Sequence, residues 1–141
     1  MIERYEALKT EIVHTSDRWQ TLMNLSWFTI EHTFVESFKE DEPDTICNTD
    51  SHWEYKEGRM RWYLASASRL TPEELDLTVV HEWAHVLAEP MEKHVKTAQS
   101  EQCEYAVTCI SKALIAVRDY YEAPAGSRLP MMVNEVLGYD E

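Results

Sequence analysis

The sequence predicts an α+β domain in which long helices flank a small sheet with a hairpin. Two stretches, 2–23 and 101–121, repeat apolar side chains every three or four residues. A short run at 27–35 is rich in aromatic and β-branched residues at period two, and Thr71-Pro72-Glu73-Glu74 carries the marks of a helix start.

Residues 2–23 contain neither Gly nor Pro and place Ile2, Tyr5, Leu8, Ile12, Trp19, Leu22 and Met23 where a helix would bury them. Thr15-Ser16-Asp17 is where a break in that helix would fall. The run 27–35 puts Phe28, Ile30, His32 and Phe34 on one side, the pattern of a strand, and the acidic 39–44 with Pro43 makes a turn. Residues 51–64 read as a β-hairpin. With Glu57-Gly58 as its loop, Tyr55 faces Met60, Trp53 faces Trp62 and Glu54 faces Arg61.

Thr71 as N-cap, Pro72 at the first helical position and Glu74 closing a capping box then start a helix that is expected to stop before Pro90. A linker covers 90–100. Cys103, Val107, Ile110, Leu114 and Val117 mark the second long helix. The tail at 123–141 is punctuated by Pro and Gly, and its apolar Met131-Met-Val-Asn-Glu-Val-Leu137 is expected to dock on the core. One domain spanning 1–141 accommodates all of this.

Composition narrows the function. The 141 residues are 44% hydrophobic and 11% aromatic, which suits a packed core rather than a disordered chain. Acidic side chains outnumber basic ones 26 to 13, and a net charge of -13 repels phosphate backbones and anionic membranes. No nucleic acid or membrane partner is therefore expected. No apolar run has the length of a transmembrane helix, and Met1-Ile-Glu-Arg-Tyr-Glu is too charged for a signal peptide. Cys47, Cys103 and Cys109 form no CxxC pair, as expected of free thiols in a cytoplasmic protein.

The chemistry concentrates in His81-Glu82-Trp-Ala-His85. Side chains four apart on a helix share a face, so both imidazoles can reach one metal ion about 2 Å from each. Glu82, rotated by about 100° from His81, points away from that ion's ligand sphere but within reach of a water there. A shuffled chain of this composition produces the five-residue pattern in about 3% of orders, so context has to carry the reading. The context is a capped helix in which Leu77, Val80, Ala84 and Leu87 run beside the histidines. A catalytic zinc needs a third protein ligand. His94, Glu101 and Glu104 are the candidates: His94 reads as a surface histidine, while Glu104, on the first turns of a helix packed across the motif, is preferred over Glu101.

His81-Glu82-x-x-His85 followed after 18 residues by Glu104, in a helix reading Glu-Tyr-Ala-Val, resembles the gluzincin branch of zincin metallopeptidases, and most of all its compact single-domain members from phages and bacteria. The resemblance covers roughly 27–116. It implies a zincin-like fold with a small mixed sheet whose edge strand, here 59–67, lies antiparallel to the substrate. It also implies Zn2+ held by His81, His85 and Glu104, with Glu82 as the general base that activates a zinc-bound water. Cys103 departs from the Asn of several gluzincins, and Thr108 stands where an acidic residue could orient a histidine. Tyr63 and Tyr105 are the candidates for stabilising the oxyanion.

The expected function is thus zinc-dependent hydrolysis of a peptide or protein substrate by a small metalloendopeptidase. Two alternatives stand beside it: an inactive zincin-like binding protein, and an acidic interaction protein that mimics DNA.

Overall fold

A computed structural model describes residues 5–92 and 100–127. The chain is α+β. Helix α1 (Glu6–Leu22) leads to strand β1 (Thr29–Val35), then to β2 (Cys47–His52) and β3 (Glu57–Tyr63). A short helix α2 (Leu64–Ala67), the long helices α3 (Pro72–Glu92) and α4 (Ser100–Glu122) and a 3-10 turn (Ala125–Ser127) follow. His94, the rest of the linker at 93–99, and Met131 to Leu137 of the tail lie outside the described residues.

The sheet is mixed, with β3 in the centre: β1 pairs with it in parallel, Thr29 opposite Glu57 and Val35 opposite Tyr63, and β2 pairs antiparallel, Cys47 opposite Trp62 and His52 opposite Glu57. Alternation sorts the faces. Met60 and Trp62 are fully buried, while Arg59 on the other face bonds Glu31 of β1 at 2.8 Å.

The hairpin exists, but its loop is not Glu57-Gly58. The chain turns through Trp53, Glu54, Tyr55 and Lys56, with Lys56 at φ 56° and the Tyr55 and Lys56 amides bonded to the His52 and Trp53 carbonyls. Gly58 lies inside β3 for a steric reason. A Cβ there would sit 2.7 Å from the Asp50 carbonyl oxygen and 3.1 Å from both Ile30 Cδ1 and Ser51 Cβ. The expected edge strand at 59–67 is likewise corrected. Its first half belongs to the central strand β3 and Leu64–Ala67 is helical, so the edge strand facing α3 is β2.

Helix α1 is unbroken at Thr15-Ser16-Asp17 because Ser16 is a packing residue: it is fully buried, and its Oγ accepts the indole N–H of Trp83 at 2.9 Å. The capping box of α3 is formed, with the Glu74 amide bonded to Thr71 Oγ1 at 3.2 Å and the Thr71 amide to Glu74 Oε2 at 2.8 Å. The core joins Ile12 and Trp19 of α1, Phe28, Met60 and Trp62 at the sheet, and Leu75, Val79, Val80, Trp83 and Val86 of α3. A second, smaller cluster of Ala84, Ala88 and Val107 seals α4 against α3.

Helix α3 does not stop before Pro90. It continues to Glu92 with Pro90 inside it. Proline leaves the carbonyl four residues back without its helical donor. That carbonyl belongs to Val86, and it accepts the indole N–H of Trp53 instead.

Candidate metal centre

Helix α3 presents His81 and His85 on one face, and the small Ala84 and Ala88 let α4 come close enough for Val107 to pack there, 1% exposed. Glu104 lies one turn before Val107, so its carboxylate crosses to both imidazoles. His81 Nε2 is 2.8 Å from Glu104 Oε1, His85 Nε2 is 3.2 Å from Glu104 Oε2, and the two Nε2 atoms are 3.1 Å apart. Glu101 stays exposed on the first turn of α4, outside this cluster.

Whether a metal fits can be judged from these contacts. Ligand atoms about 2.0–2.2 Å from a tetrahedral zinc lie about 3.3 Å from one another. The two Nε2 atoms, 3.1 Å apart, come close to that figure, and each has its own Glu104 oxygen, Oε1 at 2.8 Å from His81 and Oε2 at 3.2 Å from His85; a set with a single oxygen spans up to 4.8 Å, so one ion would draw the carboxylate inward. His85 has a carboxylate oxygen at each ring nitrogen, Glu92 Oε1 3.1 Å from Nδ1 and Glu104 Oε2 3.2 Å from Nε2, and a proton held on Nδ1 by Glu92 would leave the Nε2 lone pair to a metal. Burial, and after it the neighbouring His85, lowers the His81 pKa and favours the neutral imidazole that binds metal; the Glu104 carboxylate opposes the shift. The donor set of two imidazoles and one carboxylate suits zinc.

Glu82 reaches toward the sheet, with His85 and Glu104 near enough to act on its charge. It is 8% exposed, and its Oε2 accepts a short hydrogen bond from the hydroxyl of Thr49 on β2. Burial raises its pKa to about 7 against the opposing pulls of Thr49 and His85, with the Glu104 charge adding to the rise. The thiol of Cys47, two residues before Thr49, is pushed far up by burial and by Glu82, and so stays protonated and unreactive. A cleft of about 310 Å³ opens beside His85, lined by Thr49, Asp50, Ser51, His85, Glu89 and Glu92.

Sequence reasoning missed Thr49 and Glu92. Thr49 is 33 residues from Glu82 and carries no local signal. Glu92 does carry one, lying seven residues and two turns beyond His85, but only for a reader who lets the helix run through Pro90. Thr108, half-buried on α4, is not joined to the histidines by a hydrogen bond among the described residues. Nor is either tyrosine: Tyr63 is 8% exposed at the end of β3, and Tyr105 is 73% exposed on α4.

No protein-family model matches the chain, and no curated protein or solved structure matches it significantly. Among the described residues, no helix is long and apolar enough to cross a membrane.

Proposed function

We propose that this chain is a small zinc-dependent endopeptidase of gluzincin type, in which His81, His85 and Glu104 hold the ion and Glu82 is the general base. One observation carries the reading: two imidazole nitrogens and a carboxylate from two helices converge within 4.8 Å of one another, beside a buried glutamate whose pKa is raised to about 7.

A zinc ion there would act as a Lewis acid on a peptide carbonyl and increase the acidity of water. The protein supplies the rest. Thr49 holds Oε2 of Glu82, which leaves Oε1 to take a proton from water and pass it to the departing amide nitrogen. A buried carboxyl whose burial favours the protonated form, opposed by a nearby cation that favours the carboxylate, can serve both halves of that transfer. Strand β2 adds a place for substrate. Its outer edge pairs with no other strand among the described residues, and an extended peptide can add there by main-chain hydrogen bonds next to Thr49.

The test combines metal content with hydrolysis of a peptide library. About one zinc per chain is expected in the wild type and in Glu101→Ala, and its loss in Glu104→Ala. Glu82→Gln should keep the metal and lose the hydrolysis. A chain that takes up no zinc on reconstitution, or a Glu82→Gln variant with full activity, overturns the proposal.

A further inference from the structure

The last turn of α3 links the candidate metal centre to the β2–β3 turn. Pro90 removes the donor that the Val86 carbonyl would otherwise have, and the Trp53 indole N–H takes its place. Trp53 is itself held by aromatic contacts, its ring centroid 5.1 Å from Trp27 and 5.8 Å from Phe28. With the Val86 carbonyl satisfied, the helix proceeds one more half-turn to Glu92. Seven residues bring a side chain back to nearly the same face, and Glu92 Oε1 accordingly reaches His85 Nδ1 at 3.1 Å.

We propose that Glu92 is a positioning residue for His85 and that Trp53 is the brace that puts it there. Glu104 Oε2 stands 3.2 Å from Nε2, so two carboxylates compete for the imidazole proton; Glu92, on the same helix and less exposed at 28% against 56%, takes it on Nδ1, fixes the ring plane and leaves the Nε2 lone pair toward His81 and Glu104. The contact is a partly shielded one, with the two side chains 24% and 28% exposed. Glu92 thus does what Thr108 on α4 cannot, from the motif's own helix. The consequence for metal binding rests on the zinc reading above, but the tautomer is a property of the chain alone and can be measured without metal.

The experiment has two arms. In the first, nitrogen-15 NMR of histidine-labelled, metal-free protein should show His85 protonated at Nδ1 in the wild type and shifted toward Nε2 protonation in Glu92→Ala. In the second, zinc affinity measured by chelator competition should fall about 10- to 100-fold in Glu92→Ala and less in Glu92→Gln, which keeps an acceptor oxygen. Trp53→Phe retains the ring but not the N–H. It should weaken zinc binding as well, and combining it with Glu92→Ala should weaken binding no further than Glu92→Ala does, because both changes remove one support. A role in folding alone would lower the melting temperature of Glu92→Gln without moving the tautomer. A wild-type His85 that lacks the Nδ1 proton, or a zinc affinity in Glu92→Ala within twofold of the wild type, overturns the proposal. Failure of the wild type to bind zinc refutes the metal reading instead, and the first arm still decides the role of Glu92.

Discussion

Thr49 and Glu82, on β2 and α3, share a short hydrogen bond that joins the sheet to the carboxylate proposed as base. Glu82 is 8% exposed, so this hydroxyl replaces much of the solvation that burial removes. Thr49→Val should therefore keep the metal and lower hydrolysis by about tenfold, the equivalent of the roughly 1.4 kcal/mol expected for one such bond. Thr49→Ser should restore most of the rate. Steady-state kinetics beside zinc stoichiometry checks this, and a Thr49→Val enzyme as fast as wild type would remove the hydroxyl from the mechanism.

Asp76, five residues before His81 on α3, ties the three long helices together. Its Oδ1 accepts the Trp19 indole N–H of α1 at 2.7 Å, its Oδ2 accepts from the Arg118 guanidinium of α4, and that guanidinium lies 4.9 Å from the Trp19 ring centroid. Removing the carboxylate leaves two donors without their acceptor. Asp76→Ala should cost about 2–3 kcal/mol of stability in urea unfolding. Arg118 lies about 21 Å along α4 from Glu104, so zinc affinity in the folded variant should change little. A large loss of affinity would show that α4 pivots on this anchor.

Gly58 gives the sheet its closest approach. With the Asp50 carbonyl oxygen 2.7 Å from where a Cβ would stand, Gly58→Ala must push β2 away from β3 or distort both. About 1–3 kcal/mol of destabilisation is expected, seen as a lower melting temperature. An unchanged melting temperature would mean that β2 moves freely, and would weaken the case for Thr49 as a fixed support.

Local chemistry made much of the helical frame legible. The Thr71 and Glu74 capping box formed where the sequence placed it, and the apolar spacing of α1 and α4 located both helices. The errors came from residues far apart in the chain. Gly58 reads as a turn because glycine tolerates turn conformations, yet here its missing side chain is what the neighbouring strand requires. The hairpin register moved by an even number of residues, so Met60 and Trp62 still faced the core although their partners changed. Pro90 should end a helix, and did not, because Trp53 on a different element supplies the missing donor. At the site, the i, i+4 histidines could be paired from spacing, and Glu104, the preferred of three candidates, is the one that lies against them. Thr49 and Glu92 could not be named from spacing, since each depends on one of those non-local events.

His32 gives the pH prediction. On β1 it accepts the Trp62 indole N–H at Nδ1, 3.1 Å away, and burial lowers its pKa below 6.5, with Asp17 pulling weakly the other way. Protonation at Nδ1 would set two donors face to face. Because the folded-state pKa lies below the unfolded one, His32 contributes stability that is fully present above pH 6.5 and is lost as the pH falls through the folded value. The wild type should therefore lose more stability between about pH 7.5 and pH 5 than His32→Gln, which retains a side-chain acceptor and does not titrate. Urea midpoints at the two pH values measure this, and each protein serves as its own reference, so titrations common to both cancel. Equal losses in the two proteins would mean that Trp62 yields to the imidazolium without cost, and that the polar contact between β1 and β3 is looser than its geometry implies.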